Sequence, residues 1–215
     1  SLFLAQIALN PLASPHLRKM KTDVVSMCSG LLGGDKQVVG SMTSGGTESL
    51  FLAVKTYRDQ ARKERPQITA PEMVLPTTAH PALLKSAHYL GVKPVLVPPV
   101  PVFRADVAAM AQAITPQTLF LVGSAPAYPH GVIDPIEALS DLALSRGLPL
   151  HVDACVGGFL LPFVRKLGFA VPPFDFAVPG VTSMSADLHK YGFAAKGAST
   201  VMYRTSELRR HQFYV

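Results

Sequence analysis

Few cysteines, few charges and no long apolar run set the first limits on this sequence. Its 215 residues include two cysteines, Cys28 and Cys155, which have no metal-ligand spacing and form no disulfide framework. We therefore expect a reducing compartment and no metal site. No apolar run reaches the roughly 18 residues that a membrane span needs. We expect a cytoplasmic location, or the cytosolic face of a membrane if an anchor precedes Ser1, which is not a methionine.

The charged residues are sparse and scattered. They make up 16% of the chain against 48% hydrophobic residues, which is typical of a well-packed globular protein. The formal net charge is +6, and the densest basic cluster, residues 58–65, is interrupted by Asp59 and Glu64. We interpret that cluster as the solvated face of a helix, so no nucleic-acid partner is predicted. A basic balance also suits a protein that handles phosphate esters.

Short apolar strands alternate with helices along the sequence. Helices are predicted at 17–32, 48–65, 80–90, 107–114, 136–146 and from about 206, with Asp134 and Pro135 at the N-cap and first turn of the fifth. Strands are predicted at 38–42, 73–75, 94–97, 119–123, 150–153, 174–177, 181–184 and 201–203. The pattern predicts an α/β fold with a mostly parallel sheet and helices on both faces. Residues 1–16 are expected to be an N-terminal segment and 17–215 one domain, with ligands at the strand ends.

A glycine-rich turn, Ser44-Gly45-Gly46-Thr47, stands between a predicted strand and helix. Glycines let backbone N–H groups approach an anion, and the helix N-terminus adds its dipole. The alternative is an ordinary turn with Thr47 as N-cap. The turn is not a P-loop because no lysine follows at the required place. A dinucleotide-binding domain has little support, since no G-x-G-x-x-G stands at the first strand-to-helix turn.

Three further side chains have chemistry that a site could use. Asp153, at the end of a buried strand, could hold a pyridinium nitrogen, a ribose hydroxyl or a metal, or cap the next turn. His80 precedes a helix and suits either a ring contact or a cap. Lys190 follows His189 among small residues, so it is either a solvated lysine or a Schiff-base lysine with a lowered pKa. Cys155 is expected to be a buried packing residue.

Together these residues match one cofactor, pyridoxal 5'-phosphate. The glycine-rich turn would bind the phosphate, His80 would lie on the ring, and Lys190 would form a Schiff base with the aldehyde. Asp153 would bind the protonated ring nitrogen through a charge-assisted hydrogen bond worth about 1.5–3 kcal/mol. That bond would keep the ring cationic, so that it accepts electrons from a bond broken in the substrate.

Four strings in the sequence also resemble a known family: T-S-G-G-T-E-S, P-H-G-V-I-D-P, H-V-D-A-C-V-G-G-F and S-A-D-L-H-K-Y-G. They are similar to the sphingosine-1-phosphate lyase branch of the fold-type-I, group II decarboxylase-like enzymes that depend on pyridoxal phosphate. The resemblance runs from about residue 17 to 215 and implies the large domain of that fold, a homodimer and membrane association only through segments outside this chain. It also implies Lys190 as the catalytic lysine and these cofactor-binding residues: Gly45, Gly46, Thr47, His80, Asp153, Ser185, His189 and Lys190. Lys196 matches a lysine near the substrate phosphate.

The reaction implied by the resemblance is retro-aldol cleavage of a phosphorylated sphingoid base to a fatty aldehyde and phosphoethanolamine. The alternatives are an amino-acid α-decarboxylase, which needs a carboxylate-binding arginine that the sequence does not identify, and a non-catalytic truncated paralogue. Two departures from the family support the paralogue. Asn10 or Ala13, depending on alignment, stands where the family has a histidine, and the family's C-terminal small domain does not follow Val215.

Overall fold

The computed structural model describes residues 15–214 as alternating strands and helices. The helices are α1 (Pro15–Leu31), α2 (Gly46–Glu64), α3 (Pro81–Leu90), α4 (Val107–Ala113), α5 (Ile136–Ser145), α6 (Leu161–Lys166) and α7 (Ser206–Arg209), followed by a 3₁₀ turn at Arg210–Gln212. The strands are β1 (Val39–Thr43), β2 (Glu72–Pro76), β3 (Lys93–Val97), β4 (Thr118–Ser124), β5 (Leu150–Asp153), β6 (Val181–Ala186) and β7 (Ser199–Tyr203).

The seven strands form one sheet in the order β1-β7-β6-β5-β4-β2-β3. The pairs from β3 through β2, β4 and β5 to β6 are parallel, whereas β7 is antiparallel to both of its neighbours. The prediction of an α/β fold with a mostly parallel sheet is confirmed. Because the parallel strands share one direction, the turns that follow them gather at one edge of the sheet.

Hydrophobic residues cover both faces of the sheet, as expected for parallel strands. On one face, alternate strand residues such as Val74, Leu121 and Val152 pack against α1, α4 and α5. The other face carries a second cluster, in which the apolar stripe of α2 and the helix α3 lie on β2, β4 and β7. In that cluster the ring of Tyr57 stacks on Phe120 at 4.5 Å. This stacking fixes the position of α2 on the sheet.

The strand predicted at 174–177 is wrong, because that segment forms a turn. The carboxylate of Asp175 accepts a hydrogen bond from the N–H of Ala177 at 3.1 Å. The guanidinium of Arg204 donates to the carbonyls of Phe176 and Val178 at 3.0 and 2.8 Å. These carbonyls are satisfied by a side chain, so the segment needs no neighbouring strand.

Two smaller differences concern the N-cap of α5 and the presence of α6. Asp134 is not the N-cap of α5: its carboxylate accepts hydrogen bonds from the N–H groups of Ala105 and Ser124 at 2.8 and 2.7 Å, and Pro135 is the N-cap. The short α6 was absent from the sequence prediction.

Asn10 and Ala13 lie outside the described residues. Within residues 15–214, no helix has the length and apolar character needed to cross a membrane.

Candidate active site

A cavity of about 340 Å³ lies where the turns after β1, β2, β5 and β6 meet. This volume falls within the range of about 300–1,000 Å³ that small-molecule sites occupy. The cavity is lined by Ser44, Gly45, Gly46, Thr47, Glu48, Leu50, His80, Cys155, Asp187, His189 and Lys190. The sheet topology therefore brings together the glycine-rich turn, His80, His189 and Lys190, which are far apart in the sequence.

The glycine-rich turn forms one wall and comes very close to the wall opposite. A β-carbon at Gly46 would lie 2.8 Å from Oδ2 of Asp187 and 2.9 Å from Sγ of Cys155. The N-cap of α2 is Gly45 and not Thr47, and it offers no side chain to cap the helix. The first N–H groups of α2 are therefore available to an anion. The carboxylate of Glu48 accepts hydrogen bonds from the N–H and hydroxyl of Ser44, both at 2.6 Å, and so fixes the turn.

Lys190 lies on the wall that follows β6, beside a carboxylate that sequence analysis missed. Its Nζ is 3.0 Å from Oδ2 of Asp187, and Nε2 of His189 is 3.6 Å from the same oxygen. The side chain of Asp187 is only 2% exposed. Its other oxygen, Oδ1, is buried and has no hydrogen-bond partner among the described residues. The string D-L-H-K carried the signal, because an acid three residues before a lysine can reach it within one turn.

The pKa of Lys190 is raised, which contradicts the lowered value expected from the sequence. Partial burial does lower it, as expected. The hydrogen bond to Asp187 and the electrostatic effects of Cys155, Asp187 and Asp153 together outweigh the effect of burial. The expectation failed because it considered only desolvation and omitted the adjacent carboxylate. Lys190 is therefore held as an ammonium in this arrangement.

In each of the two histidines of the cavity, Nδ1 accepts a backbone hydrogen bond that orients the ring. Nδ1 of His189 accepts a hydrogen bond from the N–H of Ala198 at 3.3 Å, so the proton of a neutral ring lies on Nε2, on the side of Asp187. Nδ1 of His80 accepts from the N–H of Ala82 at 3.1 Å and caps α3. His80 is thus a capping residue that also lines the cavity, and its contact with a cofactor ring stays a prediction.

Asp153 and Ser185 are not among the residues that line the cavity. Asp153 is 7% exposed, and its Oδ1 accepts hydrogen bonds from the N–H of Cys155 at 3.1 Å and the hydroxyl of Ser185 at 3.3 Å. Within residues 15–214, Oδ2 of Asp153 has no hydrogen-bond partner, since both bonds are to Oδ1. Cys155 does line the cavity, and burial raises the pKa of its thiol, as expected of a packing residue.

Lys196 is a third predicted site residue that does not line the cavity. It lies exposed on the turn between β6 and β7 and is not among the lining residues. Its assignment to a substrate phosphate stays a prediction.

The cavity fits a flat group with an anionic end and a reactive carbonyl. The uncapped start of α2 and His189 provide hydrogen-bond donors at one end, and the amine of Lys190 faces the same space. Three buried side-chain oxygens without a partner in the described part of the chain stand after or at the ends of strands at this edge: Oδ1 of Asp187, Oγ1 of Thr78 and Oγ of Ser124. Of these three residues only Asp187 lines the cavity, so its free oxygen is the one that a polar ligand in the cavity could satisfy.

Comparison with known proteins agrees with this chemistry. Residues 4–215 match the model of the pyridoxal-dependent decarboxylase conserved domain. A sphingosine-1-phosphate lyase from Arabidopsis thaliana is 54% identical over 200 residues, which are 91% of this chain and 37% of that protein. One from Dictyostelium discoideum is 47% identical over 100% of this chain and 40% of its own length. The chain therefore spans well under half the length of these curated relatives.

Solved structures confirm the fold. A sphingosine-1-phosphate lyase from Burkholderia pseudomallei superposes with a TM-score of 0.96 at 41% identity, over 99% of this chain and 50% of that one. A glutamate decarboxylase from Lactobacillus brevis superposes with a TM-score of 0.85 at 21% identity, over 95% of this chain and 49% of its own, and this likeness concerns the fold alone. With its fold, its cavity and a family model that matches nearly its full length, the chain belongs to the pyridoxal-dependent decarboxylase family.

Proposed function

We propose that this chain is the cofactor-binding part of a pyridoxal phosphate-dependent carbon–carbon lyase that cleaves phosphorylated sphingoid bases. The observation that carries the proposal is the amine of Lys190, held 3.0 Å from Asp187 on a cavity wall that faces the glycine-rich turn. The names of the relatives that are 47–54% identical over most of this chain support the substrate class. The products would be a fatty aldehyde and phosphoethanolamine.

Each part of the cofactor has residues that would hold it. Gly45, Gly46 and Thr47 at the start of α2 would bind the phosphate together with His189. His80 would lie on the ring face, since it lines the same cavity. The free Oδ2 of Asp153 would accept the hydrogen bond of the protonated ring nitrogen, and Ser185 would support it through Oδ1. Lys190 would bind the aldehyde carbon.

When bound, pyridoxal phosphate supplies an electron sink for the bond that breaks between the second and third carbons of the substrate. In the net change the 3-hydroxyl loses its proton as the aldehyde forms, and the second carbon gains a proton. Lys190 suits the second transfer, because the charge of Asp187 favours its protonated form. Asp187 would also keep the released amine within reach of the substrate.

Three finer assignments rest on the same likeness. Lys196 would bind the substrate phosphate, and the exposed turn between β6 and β7 leaves its side chain free to do so. The protein would work as a homodimer in the cytosol or on a cytosolic membrane face. Sedimentation of the full-length protein with and without cofactor tests the dimer, and a single monomeric species in both samples would contradict it.

The proposed function is tested on full-length protein loaded with pyridoxal phosphate. We expect a visible absorption band that is lost in Lys190→Ala and retained in Lys196→Ala, because only Lys190 bonds to the cofactor. We also expect release of fatty aldehyde when a phosphorylated sphingoid base is added, measured in the same sample. Phosphate release serves as a control, because a phosphatase would produce it without aldehyde.

The outcomes separate the alternatives. A protein that shows the band but yields carbon dioxide from amino acids, with no aldehyde from the sphingoid base, is an α-decarboxylase. A protein that shows the band and catalyses neither reaction is a non-catalytic paralogue. An unchanged band in Lys190→Ala would contradict the assignment of the lysine.

A further inference from the structure

A line of buried polar side chains runs from α2 to Asp153. The hydroxyl of Tyr57 is hydrogen-bonded to Oγ of Ser183, which is 2.7 Å from Nδ1 of His151. Nε2 of His151 is 3.4 Å from Oγ of Ser185, and that hydroxyl donates to Oδ1 of Asp153 at 3.3 Å. Four of these side chains are fully buried, and Asp153 is 7% exposed. We call these five residues the relay.

The strand register explains why the relay is continuous. In the parallel pair β5–β6, His151 stands opposite Ser183 and Asp153 stands opposite Ser185. Side chains two residues apart share one face of a strand, so all four lie on the same face of the sheet. That face is the one covered by α2, which places Tyr57 at the far end. A polar row within an otherwise hydrophobic layer is costly unless every member is hydrogen-bonded.

The hydrogen bonds of the relay have one consistent order of donors and acceptors. Burial lowers the pKa of His151 to about 4, so the ring is neutral and has one N–H. Because an ionised Asp153 can only accept, Ser185 donates to it and accepts from Nε2–H of His151. Nδ1 is then the acceptor for the hydroxyl of Ser183. Oγ of Ser185 also accepts from the thiol of Cys155 at 3.3 Å, which completes its bonding.

From this arrangement we infer that His151 is a positioning residue, which through Ser185 fixes Asp153 so that Oδ1 is occupied and Oδ2 faces the ring nitrogen of the cofactor. The inference rests on the proposed function, because it needs a bound pyridine ring. Neutral His151 orients Asp153 without competing for its charge. A cationic imidazole of His151, two hydrogen bonds from Asp153, would weaken the bond of Asp153 to the protonated pyridine ring of the cofactor. Tyr57 is the other titratable member of the relay besides Asp153; outside it, the thiol of Cys155 bonds to Ser185 and the charge of Asp153 acts on Lys190.

The test uses full-length protein loaded with pyridoxal phosphate that carries ¹⁵N in the ring. The nitrogen chemical shift reports directly whether the ring is protonated, and equilibrium dialysis gives the affinity. In His151→Leu we expect the nitrogen to lose its proton at lower pH than in the wild type, and the affinity to fall about tenfold, as for loss of a hydrogen bond to a charged group. His151→Gln, which keeps an N–H near the position of Nε2, should recover part of both.

A matched pair of serine variants controls for burial. Ser183→Ala and Ser140→Ala each remove one fully buried hydroxyl, but Ser140 bonds the N–H of Gly180 outside the relay. Only Ser183→Ala should shift the nitrogen titration, and it remains informative if His151→Leu does not fold. Wild-type titration and affinity in Ser183→Ala, and in His151→Leu if that variant folds, would overturn the inference alone. A wild-type protein that takes up no pyridoxal phosphate would overturn it together with the proposed function.

Discussion

A single methyl group at Gly46 would test how the cavity is shaped. In Gly46→Ala the new β-carbon would lie 2.8 and 3.0 Å from the two carboxylate oxygens of Asp187 and 2.9 Å from Sγ of Cys155. Asp187 is held by Lys190 and Cys155 is buried, so neither neighbour can rotate freely away. Overpacking of this kind costs about 1–3 kcal/mol. If cofactor binding bears that cost, the dissociation constant rises by a factor of about 5 to 150.

Gly30→Ala is the matched control. Gly30 is exposed within α1, and no atom lies within 4 Å of the position its β-carbon would take. Alanine is favoured over glycine inside a helix by about 0.5–1 kcal/mol, so this variant should bind cofactor normally and unfold no more easily than the wild type. Pyridoxal phosphate titrations followed by visible absorption, with urea unfolding of the cofactor-free proteins, measure both effects. Equal affinities of the two variants would refute the idea that the closeness of Gly46 to Asp187 shapes the cofactor site.

Three further predictions concern charge. Asp187→Asn should lower the pKa of Lys190, because burial then acts without the opposing carboxylate; the pH profile of cofactor attachment should move to lower pH, and an unchanged profile would contradict the role of Asp187. Burial lowers the pKa of His151 from 6.5 to about 4, so the unfolded chain takes up a proton that the folded chain excludes. The contribution of neutral His151 to the free energy of unfolding should be fully present above pH 6.5, and that free energy should fall by about 3 kcal/mol as the pH drops to 4. Denaturant titrations of His151→Gln should show a much smaller fall. Lys196→Ala should raise the KM of the phosphorylated base about tenfold, as for loss of a charged hydrogen bond, with no comparable effect on a dephosphorylated analogue; equal effects would exclude a phosphate contact.

Most of the fold followed from local patterns in the sequence. The strand at Leu150–Asp153 has the predicted bounds, because a short apolar run between a glycine turn and an acid leaves little freedom of register. The strand predicted at 174–177 failed because Arg204, distant in sequence, takes the carbonyls that a neighbouring strand would have used. The six-residue helix α6 is too short for its periodicity to be recognised.

The candidate site was predicted in its parts but not in its electrostatics. The glycine-rich turn, His80, His189 and Lys190 line one cavity, whereas Asp153, Ser185 and Lys196 do not, and the cofactor role of each residue stays a prediction. The spacing in D-L-H-K allows the ion pair of Lys190 with Asp187, but whether it forms depends on side-chain direction within the turn after β6. The relay was equally hidden, because His151 and Ser183 meet only through the register of β5 and β6.

Helix α2 has a consequence for the entropy of cofactor binding. Its first residue, Gly46, lies on the cavity wall, while Tyr57, about 16 Å farther along the same helix, bonds to Ser183. Binding groups on flexible loops lose about 0.5–1.5 kcal/mol per side chain when they become ordered around a ligand. Here one stiff helix supports both the turn expected to hold the phosphate and the far end of the relay behind the ring-nitrogen partner. Much of the ordering needed to grip the two ends of the cofactor is thus completed during folding, before any ligand arrives.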